Sequence, residues 1–86
     1  MIMPIDEVWL SHGTQANEDI ASFGALWPAL HPDGKIEVTL AVGAEAEHEY
    51  LLHPGDTFPV RDQTWKLDHI ENPDKPSWEI RLVRVS

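Results

Sequence analysis

The sequence contains no cysteine, which removes disulfide staples, thiolate nucleophiles, zinc ribbons and iron–sulfur ligation together. Small secreted domains commonly rely on such staples, so the absence favours a reducing compartment, and the cytoplasm is the expected location. Cations are scarce as well: six Lys and Arg stand against fifteen Asp and Glu, a formal charge of −9. Affinity for phosphate backbones comes from Lys and Arg releasing counterions, so direct binding to nucleic acid or to an anionic membrane is not expected. Long apolar runs are missing too. The longest, ALWPAL from Ala25 to Leu30, is far below the roughly 20 residues that cross a bilayer. The N-terminal MIMPIDEVWL lacks the basic start and continuous apolar stretch of a signal peptide.

What is present describes one small globular domain spanning residues 1–86. A chain of 86 residues buries only about 60–65% of its unfolded surface, so any catalytic cleft would be small. Its four tryptophans supply apolar area, roughly 200 Å² each when buried. The charge has a geography. Residues 1–60 hold ten acids and a single base, Lys35, whereas residues 61–86 hold five of each. The whole net charge therefore sits in the first sixty residues.

Hydrophobic residues recur at every second position, the signature of strands buried on one face. KIEVTLAV places Ile36, Val38, Leu40 and Val42 on one side and Glu37, Thr39 and Ala41 on the other. EAEHEYLL continues the pattern, with Ala46, His48, Tyr50 and Leu52 opposite Glu45, Glu47, Glu49 and Leu51. Gly43-Ala44 is short enough to join them as a hairpin. DEVWLSH reads as a first strand. TFPV reads as an edge strand, because Pro59 donates no ladder hydrogen bond. TWKLDHI turns Trp65 and Leu67 inward and loses phase at Ile70, which predicts a bulge near Asp68-His69. SWEIRLVRV closes the chain with Trp78, Ile80 and Leu82 inward. Trp9 and Trp27 are less regularly placed, and one of them is expected at the surface.

The segment Ile20 to Leu30 reads as a strand, since Gly24 and Pro28 would punctuate a helix badly; a short helical turn around Gln15 to Asp19 is the alternative. HPDG (His31 to Gly34) suits a type I turn, and HPGD (His53 to Asp56) a type II turn. Six or seven short strands with turns about every eight to twelve residues predict an all-β antiparallel domain, a partly open barrel or a two-layer sandwich.

Three kinds of chemistry fit this frame to different degrees. Nucleophilic hydrolysis has no G-x-S-x-G elbow, and Ser11 and His12, adjacent on a strand, face opposite ways. Carboxylate pairs are abundant, but no spacing singles out a pair set across a sugar-sized cleft. His48, His53 and Asp56, with the nearby glutamates, are of the residue types that ligate zinc, iron or manganese. That is the basis for an alternative reading as a small metal-dependent β-barrel enzyme. Otherwise no cofactor is expected.

The remaining feature is the glutamate row. Side chains at i and i+2 of a strand lie about 6.8 Å apart on one face, so Glu45, Glu47 and Glu49 form an acidic line, joined by Glu37 if the two strands pair. The simplest account is a solvated face whose repulsion discourages edge-to-edge association. The functional account is a non-catalytic module binding a basic protein partner, where complementary charge speeds encounter and suppresses wrong partners. Nucleic-acid mimicry is a narrower version, although 6.8 Å is roughly twice the axial charge spacing along one DNA strand.

Two resemblances follow from particular residues. HEYLLHPGDTFPV looks like a fragment of the cupin barrels, in which a proline-glycine-aspartate turn follows a strand. This chain lacks that family's pattern of paired histidines, a glutamate and a later histidine, and is short for a complete cupin barrel. The last forty or so residues, LHPGDTFPVRDQTWKLDHI through WEIRLVRV, are similar to short uncharacterised bacterial all-β proteins. The likeness rests on Pro54, Gly55, Asp56, Phe58, Trp65 and Trp78, and it implies a small all-β domain with no activity attached.

Overall fold

In the computed structural model, which describes residues 6–86, the period-two alternation becomes nine short strands in two antiparallel sheets, with no helix among the described residues. The first five residues, MIMPI, of the N-terminal segment that lacks signal-peptide features lie outside those residues. Among the described residues, no helix is long and apolar enough to cross a membrane.

The four-stranded sheet has the order β1-β9-β8-β7, formed by β1 (Glu7–Ser11), β9 (Glu79–Arg84), β8 (Gln63–Glu71) and β7 (Thr57–Val60). The five-stranded sheet is centred on β5 (Ile36–Gly43). One side of β5 pairs with β6 (Glu47–Leu52), and the other with β3 (Ser22–Ala25) and then β4 (Ala29–Leu30); β2 (Gln15–Asn17) lies outside β3. The two sheets do not close on each other, so the domain is a sandwich.

The core is the sum of the inward halves of these strands. Val8, Leu10, Phe58, Val60, Trp65, Leu67, Ile80 and Leu82 from one sheet meet Phe23, Val38, Leu40, Val42 and Leu52 from the other, all buried. Phe23 and Trp65 make the central joint, with ring centroids 5.5 Å apart. Each such side chain contributes roughly 1.5–3 kcal/mol of transfer free energy, and among the described residues no polar or charged one is buried with them. Trp78 is buried as expected, although its indole N–H has no acceptor.

The bulge falls at the expected place, with a register shift between Leu67 and His69 along β8. Pro59 lies on an edge strand. In HPDG the Gly34 N–H donates to the His31 carbonyl at 2.9 Å, and Gly34 takes φ +86°. In HPGD the Asp56 N–H donates to the His53 carbonyl at 2.9 Å, with Gly55 at φ +94°. A Cβ is strained at either φ, which is why glycine occupies both positions.

Two expectations need correction. The helical turn considered at Gln15 to Asp19 is absent: Gln15–Asn17 is a strand paired with β3, turning Ala16 toward Phe23 and leaving Gln15 and Asn17 outside. The strand expected over Ile20 to Leu30 is present only from Ser22, because Ile20 lies in the turn closed by Glu18 N–H to the Ala21 carbonyl, and it is two strands. The path along β5 breaks at Leu26–Pro28, where Leu26 N–H still donates to the Thr39 carbonyl at 3.0 Å and Pro28 has no N–H to donate. These short pieces raise the strand number above six or seven. Both Trp9 and Trp27 are partly exposed.

Candidate functional site

The register of β5 and β6 decides which carboxylates meet. Gly43 lies opposite Glu47, Ala41 opposite Glu49, and Thr39 opposite Leu51. On the other side of β5, Ser22 lies opposite Gly43 and Gly24 opposite Ala41, while Asn17 and Gln15 of β2 face Ser22 and Gly24. The outer surface of the five-stranded sheet is therefore organised in rows. Asn17, Ser22, Gly43 and Glu47 make one, and Gln15, Gly24, Ala41 and Glu49 the next.

The middle of each row has almost no side chain. A Cβ placed on Gly24 would meet nothing within 4 Å, and one on Gly43 only Ser22, at 3.8 Å. The result is a trough of about 440 Å³ with Gln15 on one wall and Glu47 and Glu49 on the other. Its walls are three strand spacings apart, about 14 Å. At one end stand Leu26 and Leu51, each 64% exposed, on either side of Thr39.

The four glutamates do not form one line. Glu47 and Glu49 are exposed, and among the described residues neither pairs with a cation. Glu37 shares their face but lies at the far end, between two turns. Its carboxylate is 3.9 Å from His31 Nε2 and 3.6 Å from His53 Nε2. Glu45 is not in the strand at all. It stands in the bend between β5 and β6, where its carboxylate accepts from Arg61 Nη1 at 3.3 Å. The strand begins two residues later than the alternation predicted, because β5 and β6 are joined by the loop Ala44 to Ala46 and their pairing starts at Gly43 and Glu47.

The residues of the metal reading are divided in the same way. His48 lies opposite the buried Val42, on the inward side of β6, with its ring 6.1 Å from Tyr50. His53 and Asp56 belong to the HPGD turn, where Asp56 accepts from the His53 backbone N–H at 2.8 Å and lies 3.4 Å from its Nδ1. Asp56 thus acts as a turn clamp. Among the described residues, no three His, Asp or Glu side chains are grouped to hold a metal ion.

A second concavity, about 630 Å³, opens between β6 and the β7–β8 turn. Val42, Val60 and Pro59 supply apolar walls, and His48, Tyr50 and Arg61 line it as well. Arg61 has φ +55°, an uncommon conformation for a residue with a Cβ. Its side chain bridges the sheets, with Nε donating to the Ile20 carbonyl at 2.7 Å and Nη1 to Glu45.

A family model described as a family of unknown function (DUF6406) matches residues 5–86. The chain belongs to that family. Membership in DUF6406 covers nearly the whole domain, so the likeness to uncharacterised proteins is not confined to the last forty residues. No curated protein and no solved structure matches the chain.

Alternation alone did not find the trough floor or the role of Arg61. A signal for the floor was nevertheless present: Gly24, Ala41 and Gly43 are small residues at positions where a solvated strand face normally carries polar side chains. Leu51, in phase with the glutamates, was the other sign.

Proposed function

We propose that this DUF6406 domain is a non-catalytic interaction module, located in the cytoplasm, that binds a basic protein partner on the outer face of its five-stranded sheet. The observation that carries the proposal is the trough beside Glu47 and Glu49, two carboxylates with no cation of their own among the described residues. Unpaired acids alone suit an ordinary solvated face; their combination with a bare floor and two largely exposed leucines is what favours a partner. A partner with Lys or Arg along one side and an apolar group at one end would satisfy all three. Charge of this kind acts mainly on the encounter rate and on selectivity.

The test is affinity capture from lysate at low and high salt, using wild type, Glu47→Lys/Glu49→Lys, and the control Glu71→Lys/Glu79→Lys on the other sheet. Both variants change the net charge equally. A basic protein held by wild type and the control, released by salt and reduced about tenfold or more by the β6 variant supports the reading. Equal recovery with all three proteins ends it.

A further inference from the structure

Among the described residues β6 pairs only with β5, so its other side is a sheet edge. In an antiparallel pair, alternate residues turn N–H and C=O away from the partner strand. Among the described residues, no backbone group outside β5 bonds to those of Glu47–Leu52. The other edges are shorter or blocked. β7 carries Pro59, β2 has three residues, and β1 packs beside β2 and β3. β6 has six residues, no proline and no bulge.

Its charge closes this edge to one occupant and opens it to another. Pairing of two β6 strands sets Glu47 and Glu49 of one beside those of its copy, and like charges across strands oppose pairing. A strand with basic residues at alternate positions meets the opposite condition. Its outward side chains fall next to Glu47 and Glu49. The side chains between them point inward, into the cleft where Pro59 and Val60 are overhung by His48 and Tyr50.

Resting on the reading of the domain as a binder of basic partners, we infer that β6 is a site of strand addition. Its occupant is an extended segment of a protein partner that alternates Lys or Arg with apolar residues. Main-chain hydrogen bonds supply affinity in this mode, and alternate side chains supply specificity. The trough face then receives the basic side chains, and the inter-sheet cleft the apolar ones.

The test uses the full chain and a seven-residue peptide alternating lysine and valine, with two N-methylated versions. One blocks the amides on one edge of the extended peptide, the other those on the opposite edge. A one-residue slip would exchange the two faces, so charge and cleft fix which side chains turn outward; with the segment antiparallel to β6, the stabler pairing, they also fix which edge meets it. The expected result is that one methylated peptide binds about tenfold or more weakly, because several hydrogen bonds are lost, while the other stays within about threefold. Amide shifts on binding should map to Glu47–Leu52 and to Val60–Asp62. If both methylated peptides bind like the parent, strand addition is wrong and the acidic-face reading stands. If even the parent fails to bind at millimolar concentration, both fail. A concentration-dependent dimer that perturbs the same β6 amides would assign the edge to a second copy and overturn the inference.

Discussion

On the outer face of the four-stranded sheet Arg81 holds two carboxylates: Nη2 donates to Glu7 and Nη1 to Asp68, both at 2.6 Å. Asp68 is the extra residue of the β8 bulge, so the irregularity aims it at Arg81. Trp9 donates its indole N–H to Glu7 and lies under the guanidinium, 6.0 Å from ring centroid to Cζ. Lys66 completes the group beside Asp68 at 3.6 Å. On the outer face of the five-stranded sheet, Glu47 and Glu49 have no such partner among the described residues, and small residues fill the middle of the surface. The two faces arise from the same alternation and share one core. Around Arg81 charge is consumed within the fold, whereas Glu79 of that face, opposite Glu71, and Glu47 and Glu49 of the other have no cation partner among the described residues; the bare floor beside Glu47 and Glu49 is what sets the second face apart.

The largest effect comes from breaking the joint that holds the faces together. Trp65→Ala removes the ring against which Phe23 packs and should cost about 3–5 kcal/mol. That is comparable to the roughly 5–15 kcal/mol that holds a typical domain folded. Urea unfolding followed by both tryptophan fluorescence and far-UV circular dichroism should show a single transition displaced to much lower denaturant. Two separated transitions would mean that the sheets are independent units and that the contrast between their faces has no common scaffold.

Much of this arrangement was legible in the sequence, and the reasons are physical. Where one face of a strand is buried, alternation shows directly which side chains point inward, as for Val38, Leu40, Trp65 and Ile80. Proline and glycine constrain backbone torsions locally, so both HP turns and the edge position of Pro59 could be read as well. The phase break at Ile70 announced the bulge. Contacts between strands distant in sequence were hidden, because alternation carries no information about which strands pair beyond a hairpin. Glu7 and Arg81, 74 residues apart, form their bond only once β1 lies beside β9. The same limit separated Glu37 and Glu45 from the row. Their partners, His31 and His53 for one and Arg61 for the other, come from turns whose positions depend on the whole sandwich.

A smaller effect sharpens the charged side of the comparison. Hydrogen bonding to Arg81, then to Trp9, holds the Glu7 carboxyl below its ordinary range. The bond to Glu7 raises Arg81 in turn. A carboxyl with a lowered folded pKa stabilises the fold above its unfolded value, and that contribution is lost as pH falls through the folded one. Arg81 stays charged throughout and adds no pH dependence in the acid range. Wild type should therefore lose more thermal stability between pH 7 and pH 3 than Glu7→Gln, which has no proton to take up at that position. Identical pH dependence in the two proteins would show that Arg81 and Glu7 do not hold each other in solution.

The smallest effect concerns the face left unpaired. Two carboxylates about 6.8 Å apart in water repel by at most about 0.6 kcal/mol at low salt, less when screened. Glu47→Gln/Glu49→Gln should therefore leave stability unchanged or raise it by a few tenths of a kcal/mol, with the gain fading as salt is added. Asp68→Asn, on the opposite face, should shift stability the other way because it removes an Arg81 partner. Chemical denaturation of both variants at two salt concentrations separates the signs. If the glutamine pair proves less stable than wild type, the glutamates support the fold, and their lack of cation partners no longer argues for binding. If it is equally or more stable, the glutamates bring the fold no gain, and two uses remain beside the bare trough and open edge: holding a basic partner, and keeping a second β6 away, which the salt-dependent capture and the peptide test tell apart.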